Sequence, residues 1–121
     1  MWVGTLDTRG YKLALAGNIV AEAVTVKLQG SWPDYVFTKS YQLPSLQKIE
    51  KHIKEKGYLP GIPSTKEVEA EGINLGEMNA KLLQKIEELT LHLIEQDKNQ
   101  KALQEEVRGI KIELNHLKSK K

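Results

Sequence analysis

Along residues 75–117 apolar side chains recur at alternating steps of three and four. With Ile86 placed at heptad position a, the a residues are Asn79, Ile86, Leu93, Gln100, Val107 and Leu114. The d residues are then Leu75, Leu82, Leu89, Gln96, Leu103, Ile110 and Leu117. The register holds for six heptads without a stutter, a repeat of 3.5 residues that predicts a left-handed coiled coil. Asn74, followed three residues later by Glu77, supplies an N-cap. At 1.5 Å per residue the helix would be about 70 Å long. A lone helix of that length leaves its apolar seam in water, and no second stretch of the chain is long enough to cover it. The seam therefore predicts partner helices from other chains. Glu106 and Glu113 fall at g, and Lys111 and Lys118 at e. In a parallel coil each g residue faces the next e residue of its neighbour. These exposed pairs, at ~0.2–1 kcal/mol each, choose orientation more than they supply stability.

The first half of this helix is apolar beyond its seam, at Leu83, Leu91 and Ile94, whereas the second half adds only Ile112. The asymmetry predicts a head packed around residues 75–95, with a bare coil after it. The expected covering element is a helix carrying Leu46, Ile49 and Ile53, entered through Pro44 and stopped by Gly57. Leu59-Pro60-Gly61-Ile62-Pro63 excludes helix interior. Ser64 with Glu67 opens a second short helix, which Gly72 ends.

Residues 4–43 carry a different period. Tyr11, Leu13 and Leu15 alternate with Lys12, Ala14 and Ala16, and Val24, Val26 and Leu28 alternate with Thr25, Lys27 and Gln29. Alternation is the pattern of half-buried strands, and Gly17-Asn18 between the runs fits a tight turn. Gly30, Pro33 and Asp34 break the pattern. Two or three such strands are marginal alone in water and call for a partner surface. The fold class is thus α+β: short intertwined N-terminal strands (1–43), a short-helix region (44–73), and a long helix in a parallel coiled coil (74–121).

Composition narrows the function classes. Of the seven aromatic residues, four fall between Trp32 and Tyr41, so no large aromatic core is available elsewhere. A net charge of +2 gives no footprint for nucleic acid or an anionic membrane. Without cysteine there are no disulfides, zinc ribbons or cysteine nucleophiles. No apolar run approaches the ~20 residues that cross a bilayer. The opening Met1-Trp2-Val3-Gly4 has neither the basic nor the long apolar region of a signal peptide. It reads as a start placed on a piece of a longer chain.

Few residues offer chemistry. Gln96 and Gln100 form consecutive d and a layers. Register and oligomer specification is the favoured reading, for them as for Asn79, and a ring of amides around an anion or water is the sharper one. Ser31-Trp32-Pro33-Asp34-Tyr35-Val36-Phe37 concentrates large rings. It reads first as a plug between the β region and the helices. Its second reading is a recognition patch, with Trp32, Tyr35 and Phe37 as anchors. His52, His92 and His116 make no local metal-binding pair. Ser45 near Lys48 and Lys51 reads as a cap rather than a nucleophile. The Glu and Lys runs at 48–56 and 66–71 read as solvated faces. No catalytic constellation or cofactor motif emerges, and the chain is expected not to be an enzyme.

One stretch resembles a known pattern. GTLDTRGYKLALAGNIVAEAVTVKLQ is similar to the repeating β unit of tail-fibre-like proteins of Bacteroidetes and their phages. The motifs W-P-D-Y-V-F, Y-x-L-P-S-L-x-x-I-E, G-Y-L-P-G-I-P-S and G-x-N-L-G-E-M-N-x-K-L-L-x-K-I-E-E-L-T look like the C-terminal domain closing such fibres. Together they cover roughly residues 4–97, and the rest matches as generic coiled coil. The resemblance implies a homotrimeric, extracellular fibre end on a virion, an injection system or a secreted adhesin, with a receptor or glycan as a further partner. It also implies a role like that of intramolecular chaperones that register a fibre. The S-D-x-x-L-K-like start of the self-cleaving chaperones is missing, so cleavage is not carried over. No ligand-contact residue is carried over either.

Overall fold

The computed structural model describes residues 2–27 and 32–120. In chain order these form β1 (Trp2–Val3), β2 (Ala14–Leu15), a 3-10 turn (Tyr35–Phe37), α1 (Leu46–Lys56), α2 (Thr65–Glu71) and α3 (Leu75–Ser119). The chain is mostly helical, and its C-terminal helix is much the longest element.

Each helix begins where a side chain can satisfy an orphan backbone donor. Ser45 Oγ accepts from the Lys48 N–H at 3.2 Å. Ser64 Oγ accepts from the Glu67 N–H at 3.3 Å and donates to the Glu67 carboxylate at 3.2 Å. Asn74 Oδ1 accepts from the Glu77 N–H at 3.1 Å. α1 ends at Gly57, which takes a left-handed φ of 82° and donates its N–H to Ile53 O at 2.8 Å. Lys54 and Lys56 complement the negative end of that helix. α3 continues unbroken for 45 residues, through Gly109.

The strand expectation is largely corrected. Only Ala14–Leu15 of the first alternating run pairs, and its partner is Trp2–Val3, in parallel register. Gly17 carries a positive φ, yet no hairpin forms across Gly17-Asn18, since residues 18–27 contain no strand. Leu28, Gln29 and Gly30 lie outside the described residues. Alternation reports which side of a strand would be buried. It does not supply the neighbouring backbone that a strand needs, and one chain holds too little of it here. The pairing that does form depends on Gly4, whose φ is 74° and where an added Cβ would stand 2.8 Å from Ala16 O. The intervening loop turns at Thr8–Tyr11, with Asp7 Oδ1 accepting from Arg9 N–H at 3.0 Å.

The packed part of the molecule is small. Among the described residues Val36, 1% exposed, is the fully buried apolar side chain, and Pro33 beside it is buried as well. Of all the elements, the 3-10 turn makes the close approach to α3. This modifies the expectation that α1 would be the covering element. α1 has no buried residue and faces α3 across a pocket.

Candidate functional site

In the single chain every a and d residue of α3 is exposed: Leu75, Asn79, Leu82, Ile86, Leu89, Leu93, Gln96, Gln100, Leu103, Val107, Ile110, Leu114 and Leu117. Ile86 is 58% exposed and Leu93 68%. The chain's own head lies on the other side. Gln84 and Leu91, at the f positions opposite the seam, are partly covered. Glu87, Glu88 and His92 beside them are buried. Beyond His92 every described residue of α3 is exposed. The long helix therefore carries two faces with different fates: one packed by its own chain over its first five turns, the other left bare along its length.

A polar network ties the head to the covered face. Tyr35 donates its hydroxyl to Gln84 Oε1 at 2.6 Å, and Gln84 Nε2 donates to the Tyr41 hydroxyl at 3.4 Å. The two tyrosine rings lie 5.8 Å apart, tilted by 43°. Lys85 Nζ meets Glu88 Oε1 at 3.1 Å. Burial first, and the neighbouring Glu88 carboxylate after it, raise the Tyr41 phenol above its ordinary value, against the lowering effect of the Gln84 hydrogen bond. A raised folded value means that the junction's contribution is complete below the ordinary phenol range near ~10 and is lost as pH rises through the folded value. Phenolate absorbance should therefore show Tyr41 ionising above the ordinary phenol range, with the head loosening in the same step. Tyr41→Phe should abolish that coupled step.

The aromatic segment divides between burial and display. Pro33 and Val36 turn inward, whereas Trp32 and Phe37 are 55% and 59% exposed. Tyr35 belongs to the junction through Gln84. Ser31 lies outside the described residues. The sequence reading missed the Tyr35–Gln84–Tyr41 network, because Gln84 lies more than forty positions along the chain from both tyrosines.

The remaining candidates stay apart. Ser45 spends its hydroxyl on the cap of α1. His52 stacks edge-on to Tyr58 at 5.4 Å. His92 is buried against the head, and His116 lies on the exposed end of α3. Among the described residues no cluster of three potential metal ligands occurs. No helix of the described chain is long and apolar enough to cross a membrane.

Compared with known proteins, the chain matches no family model, no curated protein and no solved structure.

Proposed function

We propose that this chain is the C-terminal trimerisation and registration domain of a tail-fibre-like protein, with α3 forming a parallel coiled coil among copies. The observation that supports this most is the placement of the seam. An unbroken heptad face stays bare along α3, while the chain's own head sits on the opposite face. A helix of this length with such a stripe in water is a binding surface for its like. Parallel pairing is supported by the flanks. The pairs Met78–Leu83, Lys85–Thr90, His92–Asp97, Asn99–Gln104, Glu106–Lys111 and Glu113–Lys118, each g to the neighbour's e, bring no like charges together. The count of three comes from the resemblance to fibre ends, since Leu93 at a and Ile110 at d favour three strands whereas Val107 at a and the many leucines at d favour two.

Three parallel copies would also bring three extended segments 18–27 side by side, with Ile19, Val20, Val24 and Val26 exposed in each. These are the partners that the alternating runs lack in one chain. The domain then acts structurally, collecting chains and setting strand register, on a virion, an injection system or a secreted fibre.

Light scattering on a size-exclusion column tests this. About three protomer masses of 13.7 kDa is the expected result. A single-chain mass overturns the assembly, and a two-chain mass keeps the seam but overturns the fibre-end count. A second reading, a receptor- or glycan-binding tip, is favoured by the display of Trp32 and Phe37. Alanine at both positions should keep the assembly mass but lose glycan binding. Protection of both rings from solvent in the intact assembly would count against it.

A further inference from the structure

The head and α3 enclose a pocket of about 120 Å³. Its outer wall is apolar: Pro44, Leu46 and Ile49 from the start of α1, and Leu59 and Pro60 from the following turn. Its α3 wall is Lys85, Glu88, Leu89 and His92. In the heptad these are g, c, d and g, so the pocket lies on the g flank of the seam and shares Leu89 with it. It is too small for a typical small-molecule site, which occupies ~300–1,000 Å³, and suits one branched side chain.

Register identifies that side chain. In a parallel coil the g residue of one helix stands beside the e residue five positions on in its neighbour. Lys85 thus meets the neighbour's Thr90, and His92 meets its Asp97. By this g-to-e offset the side of the pocket that Lys85 and His92 flank reaches toward residues 90–97 of the neighbour, about a turn further along the axis. On the neighbour's facing ridge, at e, b and e, stand Thr90, Ile94 and Asp97. Ile94 is the apolar member, and the chain's own head leaves it 47% exposed, unlike Leu83 and Leu91, which it partly covers. Asp97, exposed at the end of the same ridge and paired with Lys101 of its own helix at 3.1 Å, is the residue that the register sets against His92.

We infer that the pocket is a socket for Ile94 of the neighbouring copy, so that each head clasps the next helix around the assembly. The inference rests on the parallel seam proposed above and goes beyond it: the heads become part of the interface rather than attachments outside it. It also accounts for Leu46 and Leu59, each more than 40% exposed on the pocket's outer wall.

The chain has no cysteine, so cross-linking reports cleanly. Tagged Ile94→Cys chains are co-expressed with untagged Leu59→Cys or Leu46→Cys chains and oxidised. A disulfide-linked band containing one tagged and one untagged chain is expected from at least one pairing. Leu89→Cys alone, at d, serves as the seam control and should link copies to one another. If the control links and neither head cysteine reaches Ile94→Cys, the socket is overturned and the seam stands. If the control does not link and light scattering returns single chains, the seam itself fails and takes the socket with it. Ile94→Glu provides a readout without engineered cysteines. It should keep the assembly mass and lose amide protection in α1, and unchanged protection there overturns the socket.

Discussion

In the proposed coil of copies, Ile86→Asp is expected to turn the assembly into single chains and to remove strand signal with it. Ile86 sits at an a layer near the middle of the head, 58% exposed in the single chain, so the protomer itself loses little. In a coil of copies the same position places one carboxylate per chain on a dry axis. Burying an uncompensated charge costs on the order of several kcal/mol per ion, and the copies add together. Sedimentation or light scattering reads the mass, and circular dichroism reads the strands. Among the described residues one chain pairs Trp2–Val3 with Ala14–Leu15, so in the proposed assembly a larger strand signal would come from pairing between copies. Helix forms locally and fast, whereas pairing between chains is non-local and slow, so the coil should precede the strands. A single-chain Ile86→Asp variant that keeps its strand signal would sink the proposed order of events. Ile112→Asp, at an f position, is the matched control and should leave the mass unchanged.

Val36→Asp is expected to produce the opposite separation: a detached head on an intact assembly. Val36 is 1% exposed and anchors the 3-10 turn against α3. Truncation to alanine forfeits roughly 2 kcal/mol of burial and packing, and aspartate adds the desolvation of a charge. So small a core has little else to hold the turn. Hydrogen exchange should lose its protection at residues 35–41, and the Tyr41 phenol should return to the ordinary range as its contacts with Gln84 and Glu88 go. The seam lies on the other face of α3, so the mass should not change. A Val36→Asp protein that falls apart into single chains would mean that head and seam are one cooperative unit.

What was legible in the sequence was local. Ser45, Ser64 and Asn74 announce helix starts, because a cap bonds a donor three residues away. Gly57 and Gly72 announce stops for a similarly local reason, both taking positive φ. The seam was legible because its period runs unbroken. What was not legible was the meeting of distant segments. Pro33 and Val36 are three apart among exposed rings, and only the fold shows that these two, rather than Trp32 or Phe37, turn inward. Glu87, Glu88 and His92 look like solvated positions by composition, yet the head buries them. The run Val24–Val26 misled for a different reason. Its alternation specifies a side, but no described segment of the chain pairs with it.

The two faces of α3 also obey different laws of concentration. Contacts such as that of the 3-10 turn with α3 form within one chain, so their free energies are the same at any dilution, whereas the proposed Ile94 socket joins copies. In the proposed coil, contacts on the seam join copies, so their effect on stability follows mass action and grows with the amount of protein. A substitution can therefore be assigned to one face without a structure, by repeating its thermal melt across a dilution series. A head-face change displaces every melt by a similar amount. A seam change displaces the concentration at which the protein gives way. A fibre would hold its three ends together as one molecule and so abolish that dependence, and tethering three copies through a linker should do the same in solution.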